Sequence, residues 1–231
     1  MSRSDAGDAT EDREAVERAV AAYAAGRPVL VHDAADREGE TDLIYPAGAV
    51  DHRAVARLRA DAGGLVCVAL SDAVCETLDL PFVRDELDHP AASGRPDYDD
   101  RSAFSLTVNH RETHTGITDR DRALTIAETA RAAERAVAGE SGPEAFGERF
   151  RTPGHVHLLR AAPGGLRDRE GHTELALALA AAADRPPAAV VCEMLDAETG
   201  RALAPADARA YAEREGLVYV DGAALLDAFR D

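Results

Sequence analysis

The chain has 231 residues and a formal net charge of −17 at pH 7, and its strongly basic side chains are all arginines because no lysine is present. Nucleic acids and anionic membranes attract clustered positive charge, so this composition argues against both as partners. No stretch reaches the roughly 18 apolar residues that a membrane span needs, and residues 1–12 lack the apolar core of a secretory signal. We therefore expect a cytoplasmic protein.

The composition also bears on the solvent and on domain organisation. A lysine-free, alanine-rich and acidic chain is what we expect of a halophilic protein, since high salt screens its self-repulsion; ordinary acidity is the alternative. Three cysteines without a CxxC pair indicate neither a disulfide framework nor a zinc site, which fits a reducing cytoplasm. The length suits one domain, so we expect a disordered segment over 1–12 and a single domain over 13–231.

Apolar periodicity and turn residues predict helices alternating with short strands. The predicted helices cover 14–25, 51–62, 118–139, 175–183, 207–215 and 221–229. Thr118, with Asp121 three residues on, resembles a capping box at the start of the third of these helices. The predicted strands cover 28–32, 43–45, 65–70, 103–109, 188–192 and 217–220. Residues 81–101 contain three prolines among acidic residues and glycine, so they are predicted to form a long irregular connection.

Residues 36–42, with the sequence DREGETD, place four carboxylates and one guanidinium directly after the predicted strand 28–32. Loops at the carboxyl ends of strands in α/β sheets commonly bind ligands. Glu38, Glu40 and Asp42 are two residues apart and can converge, and such oxygen ligands suit Mg²⁺ or Mn²⁺. Arg37 is then left to bind an anion. A solvated acidic turn is the alternative interpretation.

A second segment has the pattern of a phosphate site. Gly171, His172 and Thr173 precede the apolar run 175–183 and therefore lie at the N-terminus of a predicted helix. Free backbone N–H groups and the helix dipole favour an anion there, Thr173 adds a hydroxyl, and Arg169 adds a fork of donors. A capped helix beside a solvated pair of arginines is the alternative.

Two buried strands carry chemically distinctive residues. Glu193 follows the predicted strand 188–192, which delivers a carboxylate to the end of the sheet where ligands bind. Cys67 lies within the predicted strand 65–70. That position is more typical of a core cysteine than of a catalytic one, unless it lies at the exposed end of the strand.

Six segments occur in order across most of the chain: REGETD, GLVCVAL, TGITDRDRALTI, FRTPGH, RDREGHTE and VVCEM. Together they strongly resemble the 3,4-dihydroxy-2-butanone 4-phosphate synthase family of riboflavin biosynthesis, and the acidic loop resembles the archaeal branch. The resemblance implies a compact α/β fold of the α+β type, with helices around a mixed β-sheet. Because the chain has no room for the GTP cyclohydrolase module of many relatives, we expect a monofunctional protein.

The resemblance also implies an activity. The family converts D-ribulose 5-phosphate to L-3,4-dihydroxy-2-butanone 4-phosphate and formate, and it is a lyase family. It implies Mg²⁺ or Mn²⁺ as cofactor, with two ions per active site. It further implies a homodimer whose two active sites are shared between the subunits.

Carried over residue by residue, the resemblance implies two metal ligands, Glu38 and His172. It implies that the following residues bind the sugar and phosphate: Arg37, Glu38, Asp42, Thr115, Arg169, Gly171, His172, Thr173 and Glu193. It implies that the following residues take part in or adjoin catalysis: Cys67, Glu40, Asp42, His155 and Glu193. Thr115 resembles a threonine that is donated across the dimer.

This reaction enolises a ketose, loses a hydroxyl, migrates a carbon and expels formate, so it needs a base, an acid and an electrophile. A divalent ion can spread enediolate charge, carboxylates can exchange protons, and His155 can act as a proton shuttle. Two alternatives remain at the level of sequence. One is another Mg²⁺-dependent phosphosugar isomerase or aldolase, which releases no formate, and the other is a non-enzymatic acidic cation-binding protein.

Overall fold

The computed structural model describes residues 3–33, 37–94, 99 and 101–230, with side chains from Thr10 onward. Asp36, the first residue of the predicted acidic stretch, lies outside the described residues. Among the described helices, none is long and apolar enough to cross a lipid bilayer.

Nine described strands form one large sheet and one small hairpin. They are β1 (Val29–His32), β2 (Thr41–Pro46), β3 (Cys67–Leu70), β4 (Phe104–His110), β5 (Phe150–Arg160), β6 (Ala188–Val191), β7 (Leu195–Asp196), β8 (Arg201–Ala202) and β9 (Val218–Asp221). The sheet has the order β4-β5-β3-β6-β2-β1-β9, and β7 pairs only with β8 in the described chain. The pairs β1–β9 and β3–β5 are parallel and the other ladders are antiparallel, so the sheet is mixed as expected.

Helices cover both faces of the sheet. They are α1 (Arg3–Ala24), α2 (His52–Arg57), α3 (Asp72–Leu78), α4 (Asp119–Val137), α5 (Pro143–Arg149), α6 (His172–Ala182), α7 (Pro205–Glu215) and α8 (Gly222–Phe229). Side chains alternate between the two faces of a strand, so Leu30 packs in the core with α4 while Val29 and Val31 pack in the core with α1 and α6. The mixed sheet therefore lies between two apolar layers.

Local sequence signals explain several helix boundaries. The Asp51 carboxylate accepts hydrogen bonds from the backbone of Arg53 and Ala54, at the start of α2. The Thr118 hydroxyl accepts a hydrogen bond of 3.1 Å from the backbone N–H of Asp121, and this caps α4 as predicted. Gly63, with φ of +85°, ends the π-helical turn that follows α2.

Several elements differ from the sequence prediction. Helix α1 begins at Arg3, before the predicted start, and no proline or glycine between residues 8 and 25 interrupts it. Strand β2 begins at Thr41, so Asp42 lies in a buried strand rather than in a loop. Strand β5 was not predicted, because Pro153 and Gly154 interrupt its pattern. Helices α3 and α5 and the β7–β8 hairpin were also not predicted.

Candidate active site

A cavity of about 260 Å³ opens at one end of β2 and β6. Most of the residues predicted for the site line it: Arg37, Glu38, Glu40, Asp42, Cys67, Arg169, His172, Thr173 and Glu193. The acidic loop, strand β2, the start of α6 and the residue after β6 therefore meet at one place. We call this the pocket.

Glu38 and His172 come together in the pocket although they are far apart in sequence. Glu38 Oε2 lies 3.2 Å from His172 Nδ1, and Asp42 Oδ1 lies 3.6 Å from the same nitrogen. Two neighbouring ligands of an octahedral Mg²⁺ ion are about 3 Å apart, given metal–oxygen distances of about 2.1 Å. Asp42 Oδ1 is buried and has no hydrogen-bond partner among the described residues. The donors present therefore fit a divalent cation.

Asp33 joins this group of donors. One oxygen of Asp33 lies with atoms of Glu38 and His172 in a cluster whose members are all within 4.8 Å of one another. Asp33 also accepts a hydrogen bond of 2.8 Å from Arg37 Nη1. It directly follows β1, which is the position of a strand-end carboxylate, and this signal could have identified it from the sequence.

Burial and mutual repulsion set the protonation of these groups. Burial raises the pKa of the Asp42 carboxyl to about 7, the nearby His172 opposes this shift, and Glu193 reinforces it. Burial alone would lower the pKa of His172, but the charge of Asp42 and the hydrogen bond with Glu38 raise it to about 9. Burial likewise tends to raise the pKa of Glu38, yet His172 and Arg37 outweigh it and hold that pKa below its usual value. The pocket thus concentrates negative charge that a cation can neutralise.

The other two carboxylates and the thiol lie on the same wall. Glu193 pairs with Asp42 across the sheet, and Glu193 Oε2 accepts a hydrogen bond of 2.8 Å from the backbone N–H of Leu65. Burial and then the charge of Glu193 raise the pKa of Glu40. The same two causes raise the pKa of the Cys67 thiol well above its usual value, so this cysteine is a neutral wall residue.

Two arginines face each other across Asp99. Asp99 Oδ2 accepts a hydrogen bond of 2.7 Å from Arg37 Nη2 and one of 2.6 Å from Arg169 Nε. Burial tends to raise the pKa of Asp99, but the hydrogen bond from Arg169 outweighs it and holds that pKa low. A carboxylate therefore lies where an anionic ligand would contact both guanidinium groups. No sequence pattern pointed to Asp99, because it lies in the irregular connection.

The start of α6 provides further donors. Gly171 is the N-cap residue and gives α6 no side-chain cap among the described contacts, which leaves backbone N–H groups at this helix end for a ligand. A side chain at Gly171 would collide with Arg37, since an added Cβ would lie 2.7 Å from Arg37 Nη2. Arg169 is held by Glu174, whose carboxylate accepts from Arg169 Nη1 at 3.0 Å. The donors predicted for an anion site therefore lie close to one another at this helix end.

Two predicted residues lie elsewhere in the described structure. His155 and Thr115 are not among the residues that line the pocket. His155 contacts Asn109, and Thr115 donates a backbone hydrogen bond of 3.2 Å to Asp121. Both belong to the region where β4 ends and β5 begins, so one copy of the chain does not bring all of the predicted residues together.

The fold and the pocket define a mixed α/β protein with a buried cleft that can bind a divalent cation next to an anion. A family model described as 3,4-dihydroxy-2-butanone 4-phosphate synthase matches residues 17–228. A protein of that name from Archaeoglobus fulgidus is 46% identical over 224 residues, covering 93% of this chain and 93% of that protein. One from Methanosarcina acetivorans is 45% identical and covers 94% of this chain and 91% of that protein.

Solved structures agree with these relatives. The Candida albicans 3,4-dihydroxy-2-butanone 4-phosphate synthase has a TM-score of 0.73 and 32% identity, covering 92% of this chain and 96% of that one. A solved structure described as 3,4-dihydroxy-2-butanone 4-phosphate synthase in complex with two magnesium ions has a TM-score of 0.73 and 30% identity, covering 92% of this chain and 95% of that one. The chain belongs to the 3,4-dihydroxy-2-butanone 4-phosphate synthase family.

Proposed function

We propose that this chain converts D-ribulose 5-phosphate to L-3,4-dihydroxy-2-butanone 4-phosphate and formate, a lyase step of riboflavin biosynthesis. The observation that carries the proposal is the convergence of Glu38 and His172, 3.2 Å apart, beside the pair Arg37 and Arg169. This arrangement joins a cation site to an anion site within one cavity. The reaction is redox-neutral, because the two products together contain all the atoms of the substrate, so no redox cofactor is needed.

Substrate binding falls to the positively charged side of the pocket. Arg169, the hydroxyl of Thr173 and the backbone at Gly171 and His172 bind the phosphate, since they combine a guanidinium fork with a helix N-terminus. Arg37 binds the sugar together with Asp42. A phosphate anchored at one end of the substrate positions the reacting carbons, which lowers the entropic part of the barrier.

Glu38 and His172 would hold the metal, with Asp42 Oδ1 as a further oxygen donor close to them. A bound Mg²⁺ or Mn²⁺ supplies electrophilic stabilisation of negative charge on the substrate oxygens. We propose two ions per site, and the relative solved in complex with two magnesium ions supports this proposal.

The pocket carboxylates move protons. Glu193 and Glu40 line the cavity, and Glu193 is fixed by its hydrogen bond from Leu65. With Asp42 they can remove and return protons on adjacent carbons of the ketose. Cys67 adjoins the reacting carbons as a neutral thiol. His155 serves as a proton shuttle.

A homodimer explains the position of the two remaining residues. His155 and Thr115 do not line the pocket of their own chain, and the segment just before His155 lies beside exposed apolar side chains. Leu65, Leu87 and Phe104 are 40%, 54% and 40% exposed and line a second cavity of about 770 Å³. A contiguous apolar surface of this kind is typical of an interface, so we propose that a second copy covers it and that each subunit donates His155 and Thr115 to its partner's pocket.

We also propose a cytoplasmic, salt-tolerant protein with one catalytic domain over 13–231. The three cysteines are free and buried, which suits a reducing compartment. The large sheet draws strands from both ends of the chain, which supports one domain. The net charge of −17 supports function at high ionic strength, where repulsion among carboxylates is screened.

The direct test is release of formate from ribulose 5-phosphate by the purified protein, with Mg²⁺ or with EDTA, from low to molar KCl. We expect formate that depends on the divalent ion and increases with salt. Formate that is equally abundant with EDTA would contradict the metal assignment. No formate at any salt, from protein shown to be folded, would overturn the proposed reaction.

Sharing of sites between subunits has its own test. Glu38→Ala and His155→Ala are each expected to be inactive alone, because each removes one half of every site. After the two variants exchange subunits, we expect about a quarter of wild-type activity, since about half of the dimers are mixed and each has one intact site. No recovery in mixtures shown to contain mixed dimers would place His155 in the pocket of its own chain.

A further inference from the structure

The segment that holds His155 is looped out of the β4–β5 ladder. Val108 pairs with Val156, but the next residue, Asn109, pairs with Arg151, so residues 152–155 have no ladder partner in the described strands. A bulge of this kind redirects side chains at the edge of a functional site. The position of His155 therefore depends on what replaces the missing backbone bonds.

Two side chains of β4 replace the backbone hydrogen bonds that the looped-out segment lacks. The Thr107 hydroxyl accepts a hydrogen bond of 3.1 Å from the backbone N–H of Gly154. Asn109 Oδ1 accepts one of 2.9 Å from the backbone N–H of His155. Thr107 thus stabilises the bulge through the backbone of Gly154. Asn109 binds both the backbone and the imidazole ring of His155.

His155 Nδ1 lies 3.1 Å from Asn109 Nδ2 and 3.3 Å from Asn109 Oδ1. The nitrogen is the nearer atom, and the oxygen already accepts the shorter bond of 2.9 Å from the backbone N–H of His155. The amide cannot turn over without losing its bond to the backbone N–H, because that bond requires the oxygen at Oδ1. The nitrogen Nδ2 is a donor, so it faces Nδ1 favourably only when Nδ1 carries no hydrogen. The neutral ring with its hydrogen on Nε2 accepts from the nearer atom, Nδ2, and leaves Oδ1 to the backbone N–H.

Gly116 fixes the amide from the other side. Its φ is +88°, and an added Cβ would lie 2.1 Å from Asn109 Nδ2, so a side chain at 116 could not be accommodated. Asn109 itself is only 4% exposed. The amide is therefore enclosed between the threonine–glycine turn at 115–116 and the His155 segment, and this enclosure holds it in one orientation.

We propose that Asn109 is a positioning residue that sets the tautomer of His155, with the hydrogen on Nε2. Resting on the proposed function, this makes Nε2 the atom that donates a hydrogen bond or a proton to the substrate. Asn109 does not touch the substrate, and it acts through the ring of His155.

The test uses three variants of the full-length protein. Asn109→Asp keeps an acceptor for the backbone N–H of His155 but places an acceptor against Nδ1, so the hydrogen should move to Nδ1. Asn109→Ala removes both contacts. Thr107→Val is the matched control, because it disturbs the same bulge without changing the partner of the ring.

Two-bond ¹⁵N–¹H correlation spectra of the imidazole rings report the tautomer, and His155→Ala identifies the signal. We expect wild type and Thr107→Val to show the hydrogen on Nε2, and Asn109→Asp to lose that pattern. For formate release we expect kcat to fall about tenfold or more in Asn109→Asp and Asn109→Ala, with KM changed less than about twofold. Thr107→Val should keep kcat within about twofold of wild type.

A wild-type ring with its hydrogen on Nδ1 would overturn the inference, as would Asn109→Asp with unchanged spectrum and kcat. If His155→Ala retains activity, the role assigned to His155 in the proposed function fails instead. The spectra still decide the tautomer in that case, so the two failures are distinguishable.

Discussion

The pocket and helix α4 both bury carboxylates, but the surroundings of Asp42 and Glu40 in the pocket act in the opposite direction to those of Glu128 on α4. In the pocket, burial raises the pKa of Asp42 to about 7, and burial together with neighbouring carboxylates raises the pKa of Glu40. On α4, Glu128 is hydrogen-bonded by Arg131 and Arg149, a set we call the Glu128 cluster. Burial tends to raise the pKa of Glu128, but the two arginines outweigh it and hold that pKa low.

This difference distinguishes a ligand-binding site from a cluster of charges that only stabilises the fold. The Glu128 cluster is neutralised by side chains of the chain itself, so it stabilises the fold without a ligand. In the pocket, Arg37 and Arg169 are already bound to Asp33, Asp99 and Glu174. Asp42 therefore shares the imidazole of His172, 3.6 Å away, with Glu38, and the pocket keeps carboxylate charge that its own cations do not neutralise. Functional sites commonly keep such unneutralised charge at a cost in stability. Substitutions in the two regions should therefore have opposite consequences.

The largest effect is expected for Glu38→Gln. Loss of this carboxylate removes a proposed metal ligand, so formate release should fall at least about 100-fold. The melting temperature of wild type should rise with Mg²⁺, and the variant should lose this increase. Glu17→Gln on the exposed face of α1 is the control and should behave as wild type in both measurements. Retention of the Mg²⁺-dependent shift would remove Glu38 from the metal site.

Asp42→Asn should separate activity from stability. The substitution removes a buried charge whose Oδ1 has no hydrogen-bond partner among the described residues. Without divalent ions, urea unfolding should show a gain of about 1 kcal/mol, while formate release falls about 100-fold. A variant less stable than wild type in EDTA would mean that the protein neutralises Asp42 by itself, and the comparison with Glu128 would then fail.

Glu128→Gln should lower stability and leave activity unchanged, which is the reverse of the result expected for Asp42→Asn. It leaves Arg131 and Arg149 without their partner, so the free energy of unfolding at pH 7 should fall by about 1–2 kcal/mol while kcat of the folded enzyme is kept. A lowered carboxyl pKa stabilises the folded state above the usual value of 4.5, and this stabilisation is lost as the pH falls below it. The difference in the free energy of unfolding between wild type and variant should therefore become smaller in acid. Glu134 is exposed on the same helix, so Glu134→Gln should have the same free energy of unfolding as wild type both at pH 7 and in acid.

Regular periodicity made much of the fold predictable from sequence. Helix α4 and its Thr118 cap were predicted because the cap and the apolar stripe are local signals. Strand β5 was not, because Pro153 lies in a bulge where side chains of β4 substitute for ladder bonds. The placement of β2 between β1 and β6 depends on contacts between distant segments, which local patterns do not encode.

The residues of the candidate site likewise divide into those that the sequence indicates and those that only the fold reveals. Glu38 and His172 each lie in a motif that residue spacing and family resemblance point to, and the structure brings the two side chains together. Asp99 and Asn109 lie in no such motif. Asp99 matters only because the fold places it between two arginines, and Asn109 only because a bulge turns it towards His155. Residues that act through a neighbour leave no signal of their own in a single sequence.

The smallest expected effect is that of Asp99→Asn, and it tests whether the pocket's arginines are already neutralised. The Asp99 carboxylate binds Arg37 and Arg169, so an incoming phosphate must compete with it. Asparagine keeps an oxygen acceptor but removes the charge. Inorganic phosphate should therefore inhibit the variant more strongly, with an inhibition constant lowered about fivefold, or about 1 kcal/mol. The value of kcat should change less than about twofold.

The opposite outcome is equally informative. If Asp99 chiefly holds the two guanidinium groups in place, its charge helps substrate binding, and Asp99→Asn should raise both KM and the inhibition constant of phosphate. Asp168→Asn provides the control, since Asp168 lies near Arg169 in sequence and its carboxylate accepts instead from the backbone N–H of Gly164. Tighter phosphate binding in Asp99→Asn alone would show that this carboxylate competes for the anion site. Weaker phosphate binding would mean that Asp99 chiefly holds the two guanidinium groups in place, as the Glu128 cluster stabilises the fold at α4.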